Sequence, residues 1–417
     1  MIRVLLILGA LVAFGGSLAE AGPAPFRRGV GVHSLLNWGA LEPGRPDRYK
    51  PRPFDGSDYE VPDTLLRAVA LAGFDFVRLT IDPGPFLQLS GKDRDALDTL
   101  LLATVRRLQE FGLGVVVDLH GNTQVPEYDP QRVIASADSA LFRSYVGLVR
   151  RTSRILSGMK GGRLAFELMN EPPYGYDPVS RRRWQGMMET LHAAARAEAP
   201  DLLLVLTGSH GGDRQGLFDL DPTPFRGSAV LYSFHHYEPH DFTHQGVPEE
   251  GLAGRYRQYL SGLPYPVGSL PAALAQDTVR GNVGADAALD PMTRRQVEKE
   301  AAAKVSAYLA SGLDRASIAK AFDEVGDWAR RNGVASDRIF LGEFGATRSY
   351  DNHRAGDTLS YEAWIRDVRS EAEARGFGWA IWALTGTGGM AIVATDGGTS
   401  LDPGTLRALG LKDPSAP

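Results

Sequence analysis

Eight short runs of apolar, β-branched-rich sequence, each followed by enough chain for a helix, constrain this protein more than any other feature. They are 29–35 (GVGVHSL), 74–81 (FDFVRLTI), 113–120 (LGVVVDLH), 163–170 (RLAFELMN), 202–208 (LLLVLTG), 229–235 (AVLYSFH), 338–344 (RIFLGEF) and 378–384 (GWAIWAL). Between them the apolar residues recur at helical spacing, as in 95–112 and 317–333, which close on Gly112 and Gly333 as C-capped helices do. Alternation of strand and helix demands parallel strands joined by crossovers, in a closed barrel or an open doubly wound sheet. No glycine-rich phosphate loop follows the first run, which weakens the open sheet. Polar and aromatic residues crowd the C-terminal ends of the runs, where barrel enzymes build their sites. The expected fold is α/β, a (β/α)8 TIM barrel in one catalytic domain over 22–417.

Composition narrows the partners. The chain has 417 residues, 43% hydrophobic and 23% charged, with a formal charge of −5 and no cysteine. That excludes disulfides, thiolate metal sites and a cysteine nucleophile. No basic stripe suggests nucleic acid. Residues 1–21 read as a signal peptide: a basic start at Arg3, the apolar run VLLILGALVAF, then AEA at 19–21 before a mature start near Gly22. The run is short for a membrane span, so the expectation is an exported protein, periplasmic or extracellular, with no membrane contact after cleavage.

One connection is too long. About a hundred residues separate the sixth and seventh runs, and 293–312 and 317–333 read as helices within them. Residues 238–290 are Gly- and Pro-rich with little periodicity and leave the active-site end of a strand, so they are a lid candidate. Phe242, Tyr256, Tyr259 and Tyr265 within them suit sugar stacking.

The chemistry concentrates in two motifs. FELMNEPP ends the fourth run; strand alternation places Glu167, Met169 and Glu171 on one face, with Glu171 nearest the mouth and Pro172-Pro173 ending the strand. FLGEFG ends the seventh run and carries Glu343 between small glycines. Either motif alone is weak. Two glutamates at the same rim of one barrel match the need of glycoside hydrolysis for one protonated and one ionised carboxyl. Glu167, deeper in the barrel, takes a structural reading.

From about Gly29 to Leu384 the chain resembles glycoside hydrolase family 5, the cellulase-type barrels. Arg78 in FVRLT, His120 in VVDLHG, Asn170-Glu171, His235 and Tyr237 in SFHHYEP, Glu343, and Trp382 in WAIWAL match that family's site positions in order. The resemblance implies a retaining β-glycoside hydrolase without cofactor, with Glu171 as acid/base and Glu343 as nucleophile. Arg78 would hold Glu343, Asn170 would contact a sugar 2-hydroxyl, Tyr237 would donate to the nucleophile, the histidines would orient carboxylates and hydroxyls, and Trp382 would stack on a ring. Trp38, Asn37 and Asn122, with His33 and His210, divide evenly between subsite contacts and packing. A β-1,4-glucan is the first choice of substrate, with β-1,3-glucan and β-mannan behind it. An inactive glycan-binding barrel is the non-enzymatic alternative. The dense HHYEPHDFTH segment (His235, His236, His240, His244) raises a zinc site. His235 and His236 point to opposite faces of a strand, so no metal is expected.

Overall fold

The computed structural model describes residues 26–248, 254–349, 354–386, 389–395 and 398–415. The signal-peptide reading falls outside them. Among the described residues no helix is long and apolar enough to cross a membrane.

Eight parallel strands close into a barrel: β1 (Arg28–Leu36), β2 (Phe76–Ile81), β3 (Gly114–Leu119), β4 (Leu164–Glu167), β5 (Leu203–Thr207), β6 (Val230–His236), β7 (Ile339–Phe344) and β8 (Gly378–Ile381). Each pairs with its neighbours in sequence, and β8 closes on β1. The outer ring is α1 (Asp63–Ala72), α2 (Gly91–Glu110), α3 (Ala140–Ser157), α4 (Pro178–Glu198), α5 (Arg214–Asp219), α6 (Ala272–Ala285), α7 (Pro291–Ala310), α8 (Arg315–Asn332), α9 (Thr358–Ala374) and α10 (Pro403–Ala408). Gly333 stops α8 in the left-handed conformation, φ 66°, as its position suggested.

The barrel interior is layered. Phe76, Val116, Ala165, Val205, Leu231, Phe340 and Ala380, one from each of seven strands, form an apolar plug with Phe26 beneath. The eighth strand, β1, offers Gly29 and Gly31 on the inside. A Cβ on Gly29 would lie 2.2 Å from the Phe76 ring, and one on Gly31 2.8 Å from Trp382. Two residues further along β2, β3, β4 and β5 sit Arg78, Asp118, Glu167 and Thr207, so alternation lays a polar tier on the plug.

Three expectations need correction. The fourth strand ends at Glu167, and residues 168–171 leave it as irregular chain before the prolines. The segment 238–290 is not loop alone: 272–285 form α6, whose pattern is diluted by Gly281 and Gly284. Its aromatics do not face sugar. Phe242, Tyr256, Tyr259 and Tyr265 are buried; Tyr265 donates to Asp367 on α9 and Tyr256 to Asp241. A hairpin at 41–49 also escaped the periodicity, because its second strand reads RPDRY with four exposed residues.

Candidate active site

Arg78 organises the polar tier. It is wholly buried, and its fork donates through Nε to Glu167 (2.7 Å), through Nη1 to Glu343 (2.5 Å) and through Nη2 to Asn170 (2.7 Å), with Asp118 3.0 Å from Nη2. Burial acts against its charge, but Asp118, Glu167 and Glu343 outweigh burial and hold the guanidinium even more firmly protonated. Thr207 donates to the other Glu167 oxygen at 2.9 Å. The structural reading of Glu167 holds: it is an anchor for Arg78.

Glu343 reaches the interior by a register shift. Alternation along β7 puts Phe340 and Gly342 inward, which would turn Glu343 toward the helices. The pairing slips between Phe234↔Leu341 and His235↔Glu343, a bulge that turns the carboxylate back into the barrel. Gly342 is required there, since a Cβ would meet Ser233 Oγ at 2.5 Å and His235 Nε2 at 2.9 Å. Both Glu343 oxygens then accept hydrogen bonds, Oε1 from Arg78 and Oε2 from the Tyr237 hydroxyl (2.9 Å). Burial first, and the Glu343 charge second, push the Tyr237 hydroxyl well above the usual phenol range, so it stays a donor.

Glu171 is held differently. Its backbone has φ 36°, a region β-carbon residues enter at a cost, as backbone at functional sites often does. Main-chain bonds from Gly211 to Pro172 and from His210 to Tyr174 zip its loop to the β5–α5 loop. His235 Nδ1 lies 2.8 Å from Oε1. Burial pulls His235 down to about 4, so that ring is neutral near pH 7. The Glu171 side chain keeps 39% exposure at the mouth, yet loss of water to the surrounding protein raises its carboxyl, against smaller opposing effects of His120 and Arg78. One glutamate is thus biased toward its acid, while donors satisfy both oxygens of the other.

The remaining candidates divide. His120 stacks on Trp382 (centroids 5.4 Å, planes 6° apart) and its Nδ1 lies 2.8 Å from Asp118. Trp38 is 47% exposed on the rim, with φ 54°. Asn37 lines the cleft beside Trp38 with its side chain engaged: its amide donates to Thr80 and the His120 carbonyl, and its oxygen accepts from Asn122 and the Trp38 backbone. Asn37 thereby braces the cleft wall and ties up Asn122 Nδ2 as well. His33 is clamped likewise, accepting from Trp38 Nε1 (2.7 Å) and facing Thr80 Oγ1 (2.9 Å). Its Nδ1 therefore carries the proton. His210, 9% exposed, packs under Tyr176 with centroids 3.9 Å apart.

Among the described residues, the His, Asp and Glu side chains whose ligand atoms converge within 4.8 Å are Glu171, His235 and Glu343. The histidine-rich segment does not converge. His236 stacks on Trp364 behind the strand, while His240 and His244 sit beside Tyr237.

The profile of the Cellulase (glycosyl hydrolase family 5) domain matches residues 50–388, well over half of the chain. The chain belongs to glycosyl hydrolase family 5. Endoglucanase 3 of Fibrobacter succinogenes is 24% identical over 352 residues, 79% of this chain and 46% of that protein. Cellodextrinase A of Ruminococcus flavefaciens is 27% identical over 193 residues, 46% of this chain and 55% of its own length. This family 5 chain thus spans about half the length of both relatives. A hyperthermophilic endo-β-1,4-glucanase solved with substrate superposes with a TM-score of 0.63 at 19% identity, over 93% of this chain and 97% of that one. Cellulose synthase subunit Z from Clostridioides difficile gives 0.61 at 22% identity, over 92% and 99%. At that identity the structures speak for the fold, which is the barrel expected.

Proposed function

We propose that this family 5 protein hydrolyses a β-1,4-glucan within the chain and with net retention, Glu343 acting as nucleophile and Glu171 as acid/base. The observation that carries the reading is the approach of Glu171 and Glu343 to within 4.8 Å, oxygen to oxygen. Retaining enzymes hold their carboxyl groups about 5–5.5 Å apart, and inverting enzymes about 6.5–9.5 Å, to admit a water. Glu343, fixed by Arg78 and Tyr237, attacks the anomeric carbon while Glu171 gives its proton to the departing oxygen. A glycosyl ester forms on Glu343. Glu171, now a carboxylate beside neutral His235, takes a proton from water as that water attacks, and the ester is released.

The shape of the cleft supports internal cleavage. A cavity of about 610 Å³ lies toward Trp38, Tyr59, Trp382 and Met390, and another of about 470 Å³ lies on the other side, toward Tyr176, Arg214, Phe218 and Glu238. The first is lined from β1 and β8 and the second from the loops after β5 and β6, across the barrel rim, an arrangement that suits a chain running past the carboxylates in both directions. The endoglucanase relative agrees with the sugar. The retention of both glutamates counts against a merely glycan-binding barrel.

The test is a panel of β-1,4-glucan, β-1,3-glucan and β-mannan polymers with early products sized. Mixed-length cello-oligosaccharides from the first substrate are expected. Release of a single small sugar, or activity confined to mannan or β-1,3-glucan, would overturn the specificity.

A further inference from the structure

Asp118 has no part in the reaction just described, yet it sits at its centre. Three carboxylates surround one guanidinium: Asp118 and Glu167 have no exposed side-chain surface and Glu343 has 6%. With all ionised, this buried set would carry two uncompensated negative charges, which a low-dielectric interior opposes. The three are not equally satisfied. Glu167 accepts on one oxygen from Arg78 and on the other from Thr207; Glu343 accepts from Arg78 and Tyr237. Asp118 meets Arg78 and His120 through the single oxygen Oδ2, and its buried Oδ1 has no partner.

We propose that Asp118 is a positioning residue held as a neutral acid in the resting enzyme, so that the Arg78 charge is left to Glu167 and the nucleophile Glu343. The inference rests on the assignment of Glu343 and Glu171 above. The groups facing Asp118 are Arg78, His120, Glu167, Glu171 and Glu343, with Tyr145 on α3 and His33 one ring beyond His120. In agreement, burial first, against Arg78 and aided by Glu171, raises the Asp118 carboxyl to about 7. Raising the pH through that value puts a negative charge next to Glu171, which helps it keep its proton.

The test compares the full chain with its Asp118→Asn variant, since asparagine copies the neutral acid. An acid with a raised folded pKa stabilises below its unfolded pKa, and that stability is lost as pH rises through the folded value. The wild-type Tm should therefore fall relative to the variant between pH ~4 and ~7 and level off above. A gap that moves the other way, as for an ionised aspartate paired with Arg78, or a flat gap, would overturn the proposal. This reading needs no activity, so it stands apart from failure of the hydrolase assignment. In rate profiles the variant should keep its acid limb and lose activity at lower pH on the alkaline side; a shifted acid limb would contradict a neutral Asp118. If the variant does not fold, infrared spectra of Glu171→Gln protein with 13C-labelled aspartate carboxyls decide. A labelled neutral-acid carbonyl band at pH 6 that vanishes by pH 8 is expected, and it must persist when Asp82, the other buried aspartate whose carboxyl burial raises, is replaced (Asp82→Asn); its absence overturns the proposal.

Discussion

Arg78 shows how much of this site a single residue carries. Replacing it with methionine would leave Glu167 and Glu343 buried without their cation, and breaking such a set costs about 3–5 kcal/mol. Denaturant titration should show a loss of that order, or protonation of the freed carboxylates at neutral pH. Glu171→Gln should lower turnover of natural glycans by roughly 10²–10⁴-fold, the usual worth of a positioned acid. Azide should restore turnover of an activated aryl glycoside by Glu171→Ala, whose leaving group needs no acid. Because the Glu171 carboxyl is raised by burial, activity should persist above the usual carboxylate range and fall as pH passes its raised pKa. At this scale the meeting of Glu171, His235 and Glu343 at one rim was legible, because each stands at or just past an apolar run, whereas Arg78 lies inside β2 and Glu171 four residues beyond β4. Asp118 was equally visible, two residues before His120 on the same strand face, but an aspartate inside a run reads as a packing anomaly until its partners are known. Asn37 and His33 were ambiguous because a loop amide or ring declares its role only through the bonds it makes.

Strands carry the site, and their irregularities aim it. Alternation from the apolar plug lays down the tier of Arg78, Asp118, Glu167 and Thr207 but by itself would turn Glu343 outward. The bulge in β7 depends on packing against β6, which no local pattern encodes. Gly342→Ala should press a methyl on His235 and Ser233 and loosen the His235–Glu171 contact. The expected result is about a tenfold or larger loss of kcat, ~1.4 kcal/mol in the barrier, with KM little changed. Unchanged kcat in a folded variant would show that the glycine is not needed for the site. Strand boundaries were otherwise legible to within a few residues, because apolar runs bounded by polar chain have one solution in a parallel barrel. The helix α6 and the 41–49 hairpin were not, having glycines in one and exposed charges in the other.

For the whole molecule, the barrel buries several neutral histidines, and that sets its response to acid. Burial leads in lowering His33 and His236 to about 3 and His235 and His244 to about 4, from 6.5. A base with a depressed folded pKa contributes stability that is complete above 6.5 and lost as pH falls toward the folded value. With His192, lowered to about 4 in the same way, these five rings outnumber Asp118, Asp82 and Glu171, the raised carboxyls whose effect has the opposite sign. The Tm should therefore rise as pH is raised from about 4 to 6.5; a flat or falling Tm there would mean that these rings are charged in the fold. The central claim, that Glu343 is the nucleophile of a double displacement, is tested most directly by covalent trapping. A 2-deoxy-2-fluoro-β-cellobioside with a dinitrophenyl leaving group should inactivate the enzyme and leave one fluorosugar ester, mapped by mass spectrometry to the peptide bearing Glu343. An ester on any other residue of an enzyme that cleaves cellobiosides would contradict the account.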